Sequence, residues 1–158
     1  MPTSIPHRGP GISTTVAFRI SSIDDPLLLI AVRVNGQGPY DFVVDTGASH
    51  VVIDAALADD LGLPRQQAHP GHGAGGPITA VETRLSDLCI AQACLSDLPA
   101  VVTDLTSVST AAGVHLHGVI GYPFLSRYVV TIDYPNRQLR LSEPDHQPNP
   151  AQPDSPQA

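Results

Sequence analysis

The sequence contains no tryptophan, few aromatic residues, only two cysteines and few basic residues. Eight Lys and Arg against 15 Asp and Glu give a net charge of −7. This charge argues against nucleic acid as a partner, because phosphate binding requires clustered Lys and Arg. No apolar run approaches the roughly 20 residues that span a bilayer, so we expect no membrane partner. Two cysteines are too few for a disulfide framework.

The first eight residues lack the apolar segment of a secretory signal, and we therefore expect a cytoplasmic location. In that compartment Cys89 and Cys94 are predicted to be free, buried thiols. A two-residue turn at Ala91 and Gln92 would place the cysteines opposite each other on paired strands. Ala and Gln are, however, poor residues for a turn that requires positive φ.

The residues that are present favour one β-rich domain. Thirteen Gly and 16 Pro separate many short runs of Val, Ile and Leu, a mixture typical of short strands joined by turns. The chain of 158 residues is long enough for one domain with a sizeable core. Residues 14–142 are predicted as this domain, between a flexible arm at 1–13 and a disordered, Pro-rich tail at 143–158.

The chain is organised around residues 42–49, Phe-Val-Val-Asp-Thr-Gly-Ala-Ser. A run of strand formers leads directly into Asp45, and Gly47 permits a tight bend after it. Burying a lone carboxylate is costly unless it is paired or hydrogen-bonded, so an Asp at the end of a buried strand indicates a functional group. The alternative is an Asp that opens an ordinary surface turn.

The other predicted elements are short. Asn-Gly at position 35 predicts a hairpin turn. Helices are predicted at 55–61, with Asp54 as N-cap and Gly62 at its end, and at 122–128. Residues 106–113 are predicted as a polar connection, and residues 129–141 as a final hairpin. The Gly-rich segment at 66–77, between two extended arms, predicts a mobile hairpin or lid, with a plain surface loop as the alternative.

The order of these features resembles the retropepsin-like aspartic proteases, the single-domain relatives of retroviral protease, over about residues 14–142. Residues 43–48 match the family motif of an apolar pair, Asp-Thr-Gly, then Ala or Ser. Residues 73–76 are similar to the glycine-rich flap tip, and residues 119–121 to the apolar-apolar-Gly segment of the ψ-loop. The resemblance implies an all-β fold, an acid-protease-like closed barrel with a ψ-loop, a flap hairpin and one or two short helices.

The resemblance implies an aspartic-type endopeptidase, whose chemistry requires two carboxylates that share one proton and one water. Two such carboxylates cannot both ionise, so one acts as acid and the other as base, a behaviour that aspartic proteases themselves illustrate. Asp104 and Asp133 are not followed by a hydroxyl residue and Gly. The second carboxylate is therefore expected from Asp45 of another copy in a homodimer, although no apolar pair of terminal strands is evident for a retroviral-type dimer seam.

The resemblance assigns catalytic roles to Asp45, Thr46 and Gly47. It assigns substrate binding to the residues after this motif, the flap and the ψ-loop: Ala48, Ser49, Gly73, Ala74, Gly75, Gly76, Ile78 and Ile120. The expected substrate is an extended peptide or protein, and no cofactor or metal is expected.

Two other readings stay open. A protein of the same fold could bind peptides or partner proteins without cleaving them, because a fold alone does not establish activity. The pairs His69-x-x-His72 and His115-x-His117 also have metal-ligand spacing, and Asp45 could add an oxygen ligand.

Overall fold

The computed structural model describes residues 11–73 and 76–145, and most of the predicted arm and tail lie outside them. Within these residues the chain forms strands of two to 15 residues and three short helices. The strands are β1 Ser13–Ala17, β2 Arg19–Ile20, β3 Leu28–Val34, β4 Gln37–Val44, β5 Val52–Asp54, β6 Ala68–Gly73, β7 Gly76–Ile90, β8 Ala93–Thr103, β9 Gly118–Ile120, β10 Val129–Asp133 and β11 Gln138–Ser142. The helices are α1 Ala55–Asp60, α2 Thr106–Ala112 and α3 Tyr122–Leu125.

The larger sheet closes on itself. Its strand order is β2-β3-β4-β9-β5-β8-β7-β6, and an additional pairing of β3 with β7 joins six of these strands into a ring. Along β3, alternate residues Ile30, Val32 and Val34 are buried inside the ring while Ala31 and Arg33 are exposed, as the two-residue period of a strand requires. The predicted all-β, acid-protease-like barrel is confirmed.

The ψ-loop is formed by β9, which lies between β4 and β5. β9 runs parallel to β4, with Val43 opposite Val119, and antiparallel to β5, with Val52 also opposite Val119. Both contacts require glycine at the start of β9, because a Cβ on Gly118 would lie 2.1 Å from Cε1 of Phe42 and 2.4 Å from the carbonyl oxygen of Val52. β4 and β5 are consecutive in the chain, yet in the sheet they are separated by β9, which comes much later in the sequence.

A second, three-stranded sheet has the order β1-β11-β10. The first and last described strands pair within the same chain, from Ser13 opposite Ser142 to Ala17 opposite Gln138. This pairing was not evident from the sequence, because only Thr14 and Val16 of β1 turn toward the protein and the rest of the strand is exposed.

The hairpin at Asn35-Gly36 is confirmed, since both residues have positive φ, 49° and 75°. The helix at 55–61 is also confirmed in α1, and Gly62 follows it in the left-handed region with φ of 62°. Asp54 occupies the N-cap position, but its side chain does not cap the helix. None of the described helices is long and apolar enough to cross a membrane.

The prediction of a polar connection at 106–113 and of at most two helices was wrong, because α2 is a third helix. Ser and Thr are modest helix formers, so the segment gave little helical signal. Local contacts support both ends of it: Oδ1 of Asp104 accepts a hydrogen bond from the backbone N–H of Thr106, and Gly113 ends the helix in the left-handed conformation. Ala112 is buried in a small cluster with Leu29 and Val43 on the outer face of β3 and β4.

The prediction of free cysteines was also wrong. Cys89 and Cys94 lie directly opposite each other on β7 and β8 and form a disulfide with an S–S distance of 2.08 Å. Ala91 adopts the left-handed turn conformation with φ of 49°, although a Cβ disfavours it. The tight hairpin between two long paired strands decides the turn conformation here, against the local preference of its residues.

Candidate active site

Asp45 directly follows β4, at the end of its pairing with β9. Its backbone N–H donates to the carbonyl oxygen of Ile120 at 3.0 Å, and its own carbonyl oxygen accepts from the N–H of Ala48 at 3.2 Å. The side-chain Oδ1 accepts from the backbone N–H of Gly47 at 2.9 Å. The carboxylate is therefore held in a defined orientation by its own loop, residues 45–49.

The chain after β9 passes close behind this loop. The N–H of Tyr122 donates to the carbonyl oxygen of Ala48 at 2.8 Å. A Cβ on Gly121 would lie 2.2 Å from the carbonyl oxygen of His50 and 2.7 Å from that of Ala48. No residue other than glycine fits at this crossing, which explains the glycine that follows the apolar pair at 119–120.

The catalytic candidates lie on the surface of the single chain. Asp45, Thr46 and Gly47 are exposed, and Thr46 makes no side-chain hydrogen bond with the described residues. Ala48 is half-buried, while the hydroxyl of the exposed Ser49 lies 2.9 Å from Nδ1 of His50. The predicted catalytic residues therefore share one loop with Ala48 and Ser49, and the exposed side chains of Asp45 and Thr46 are accessible to another molecule.

Other strand-end carboxylates are bonded within their own surroundings. The side chain of Asp104 accepts from Thr106, and the side chain of Asp133 accepts from Asn136. These hydrogen bonds lower the pKa of each carboxyl. The larger contribution comes from the side chain of the partner and the smaller one from its backbone. Neither residue is followed by Thr-Gly, so Asp45 stays the predicted catalytic carboxylate.

The Gly-rich segment forms the predicted hairpin from β6 and β7, with Gly71 opposite Ile78 and Gly73 opposite Gly76. Ala74 and Gly75, the predicted centre of the flap tip, lie outside the described residues. The half-buried side chain of Ile78 lies over Gly71 and Gly73, whose missing side chains leave space for it. Gly73 is exposed and Gly76 half-buried, so both remain candidates for contact with substrate.

Ile120 differs from the other predicted substrate-binding residues. Its side chain is fully buried in the main core, with 0% of its surface exposed. Its backbone supports the Asp45 loop from behind through the hydrogen bond with Asp45. Ile120 therefore positions the catalytic candidate and does not face a cleft.

The histidine pairs do not form a metal centre in the described residues. Nε2 of His69 lies 3.0 Å from Oε1 of Glu82 across the flap hairpin. His115 and His117 stack with ring centroids 4.4 Å apart, and Nδ1 of His117 accepts from the N–H of Asp41. Within residues 11–73 and 76–145, no group of three or more His, Cys, Asp or Glu could hold a metal ion.

Two supporting residues were missed in the sequence. The backbone of Tyr122 fixes the Asp45 loop, and its position immediately after the apolar-apolar-Gly segment is the signal that could have identified it. The sequence predicts Asp54 as a helix cap, whereas its Oδ1 accepts from the N–H of Leu105 at 2.9 Å. This contact joins residues 51 positions apart, and nothing in the local sequence indicates it.

Comparison with known proteins agrees with this architecture. The model of a family described as aspartyl protease matches residues 30–124. The crystal structure of a retropepsin-like aspartic protease from Rickettsia conorii is 20% identical, with a TM-score of 0.57 over 84% of this chain and 92% of that chain. The retroviral protease-like domain of Ddi1 from Leishmania major is 16% identical, with a TM-score of 0.50 over 76% of this chain and 96% of that chain. The search among curated proteins gave no match.

Proposed function

Because the chain belongs to the aspartyl protease family and has a retropepsin-like fold, we propose that it is a homodimeric endopeptidase that hydrolyses peptide bonds of extended polypeptides. The observation that carries the proposal is Asp45, a carboxylate fixed from behind by β9 yet exposed at the surface. Aspartic protease chemistry needs a second carboxylate within a few ångströms of the first. A second copy related by a two-fold axis supplies it by presenting the same loop.

In this mechanism one Asp45 is ionised and its partner is protonated, since two like charges in contact cannot both persist. The ionised carboxylate removes a proton from water, whose oxygen adds to the scissile carbonyl carbon. The protonated carboxyl gives its proton to the carbonyl oxygen. The C–N bond then breaks as the proton held by the first carboxyl passes to the leaving amine and one hydroxyl proton of the gem-diol returns to the second carboxylate, which leaves a carboxylic acid, an amine and an unchanged enzyme.

The neighbouring residues have supporting roles in this proposal. The N–H of Gly47 donates to Oδ1 of Asp45 and so holds the carboxylate in position. The exposed hydroxyl of Thr46 is free to hydrogen-bond across the dimer axis. Ala48 and Ser49 border the substrate, and the flap residues Gly73, Ala74, Gly75, Gly76 and Ile78 close over it and pair with its backbone.

The proposal is tested by digestion of an unstructured protein from pH 3 to 7 with the natural chain and with Asp45→Asn, each with and without a statine-type inhibitor. Asn keeps an oxygen that can accept from Gly47 but cannot act as a base, so activity falls at least about a hundredfold. Asp60→Asn, at the exposed end of α1, is the matched control and keeps full activity. Turnover that survives Asp45→Asn rejects the mechanism, and peptide binding without turnover in the natural chain favours a silent binding module.

The dimer is tested separately by refolding the natural chain together with an equal amount of Asp45→Asn chain. If each site needs Asp45 from both subunits, activity per natural subunit falls to about half, because mixed dimers lack one carboxylate. If each chain works alone, activity per natural subunit does not change. Sedimentation of the mixture at the assay concentration verifies that dimers are present.

The cytoplasmic location stays a prediction, and the Cys89–Cys94 disulfide disfavours it, because structural disulfides are rare in the cytosol. We propose that the protein acts in a compartment where this bond persists. Alkylation of free thiols in intact cells before lysis tests the compartment. Modification of both cysteines would support the cytoplasmic location.

A further inference from the structure

A pocket of about 400 Å³ lies beside α1 and α2, and none of residues 45–49 lines it. Its wall includes Asp54, three hydroxyl side chains of α2 and the ring of His115. This volume is within the range of pockets that hold small molecules. The proposed proteolytic function does not use this pocket.

Asp54 places a carboxyl oxygen at this pocket. Only 7% of the residue is exposed, and its Oδ1 accepts from the N–H of Leu105. Oδ2 accepts no hydrogen bond from the described residues, and in that part of the chain no fully buried side-chain oxygen lacks a partner. Oδ2 therefore keeps some accessible surface, and Asp54 is one of the residues that line the pocket.

The remaining wall offers hydroxyl oxygens, the imidazole of His115 and apolar surface. No Lys or Arg lines the pocket. The hydroxyl of Thr110 donates to the carbonyl oxygen of Thr106, so its oxygen keeps free lone pairs. Ala56 and Val114 contribute methyl groups. An anion would meet the carboxylate of Asp54, whereas a compact cation with several N–H donors would find acceptors around it.

We propose that this pocket binds a small alkylammonium compound, with the ammonium group donating to Oδ2 of Asp54 and to the hydroxyl oxygen of Thr110. An ammonium suits the site better than a guanidinium. A guanidinium binds a carboxylate best through both of its oxygens, and Oδ1 of Asp54 already accepts from the N–H of Leu105. The alkyl chain lies against Val114 and Ala56. This inference does not depend on the proteolytic activity of Asp45.

The test titrates the full chain with butylamine, and in parallel with butanol and butyrate, and follows backbone amide signals by NMR. Butylamine is expected to shift the signals of residues 54 and 106–115 saturably, whereas butanol and butyrate do not. Asp54→Asn keeps an acceptor for Leu105 but removes the charge, and is expected to weaken binding about tenfold or more. Asp60→Asn, which removes a charge from the exposed end of the same helix, leaves the affinity unchanged.

A second variant guards against misfolding of Asp54→Asn. Ala56 is exposed beside the pocket, so Ala56→Leu reduces the space without disturbing the core and is expected to weaken binding similarly. Equal binding of butanol, or full binding by Asp54→Asn or Ala56→Leu, overturns the proposal. A lysine peptide compared with its norleucine counterpart distinguishes the source: binding of the lysine peptide identifies a protein side chain, and binding of butylamine alone identifies a free amine.

Discussion

An Asp lies near each end of β9, and one of the two is exposed while the other is buried. At one end Asp45 follows β4, and at the other Asp54 ends β5, the two strands that flank β9. Asp45 is exposed and accepts from Gly47, two residues away. Asp54 is buried and accepts from Leu105, on a distant connection. The two strands beside β9 thus leave one carboxylate exposed and place the other where it hydrogen-bonds a distant segment.

The difference follows from the directions of the strands. β4 is parallel to β9 and β5 is antiparallel to it, so the two Asp residues leave the motif at opposite ends. At the Asp54 end, the backbone N–H of Asp54 also donates to the carbonyl oxygen of His117. At the Asp45 end, the described residues provide support from behind but no cover in front. An Asp at a strand end is therefore accessible to another molecule only where the fold leaves its loop uncovered.

The largest effect on stability is expected for Gly121→Ala, at the Asp45 end. The new methyl group would clash with two backbone carbonyl oxygens that cannot rotate away, so we expect a loss above about 3 kcal/mol or failure to fold. Gly62→Ala is the matched control, because its φ is positive but no atom lies within 4 Å, and it costs about 1 kcal/mol. Urea unfolding measures both, and equal losses would show that the crossing behind Asp45 is not tightly packed.

A smaller effect on stability is expected to distinguish Asp54 from Asp45. Asp54→Ala leaves the buried N–H of Leu105 without a partner and is expected to cost about 1 to 3 kcal/mol. Asp45→Ala releases the exposed N–H of Gly47 to water and is expected to change stability by less than about 0.5 kcal/mol. Urea unfolding at one fixed protein concentration is required for both, since dimerisation would contribute to stability. Equal values would contradict the division of roles.

The smallest effect concerns pH at the Asp54 end. The pKa of His117 is lowered mainly by burial and to a smaller extent by the neighbouring His115. The carboxylates of Asp41 and Asp54 raise this pKa, but by less. Because the folded-state pKa lies below the unfolded one, the unfolded chain takes up the proton first. The contribution of His117 to stability is therefore full above about pH 6.5 and is lost as the pH falls.

His117→Asn tests this pH dependence, since Asn can still accept from the N–H of Asp41. Between pH 7.5 and 5.5 the melting temperature of the natural chain is expected to fall more than that of the variant. Parallel curves for the two proteins would show that His117 does not titrate differently on folding.

Much of the Asp45 end could be predicted from the sequence because its signals are local. Apolar residues lead into Asp-Thr-Gly, Asn35-Gly36 forms the turn before β4, and an apolar pair with glycine forms β9. Less of the Asp54 end could be predicted. The helical state of residues 106–112 depends on packing of Ala112 against Leu29, and the role of Asp54 depends on Leu105. Such contacts join segments far apart in the chain, and local propensity contains no information on them.

The sequence by itself determined the strand pattern, the Asp-Thr-Gly turn and the short hairpins, since these depend on side-chain period and on the φ angles that nearby residues allow. Only the tertiary structure decided that β9 separates β4 from β5, that Cys89 and Cys94 pair, and that Asp45 is exposed while Asp54 is buried. Burial and long-range hydrogen bonding depend on which strands become neighbours. That choice is made by the closed barrel as a whole and not by any one segment.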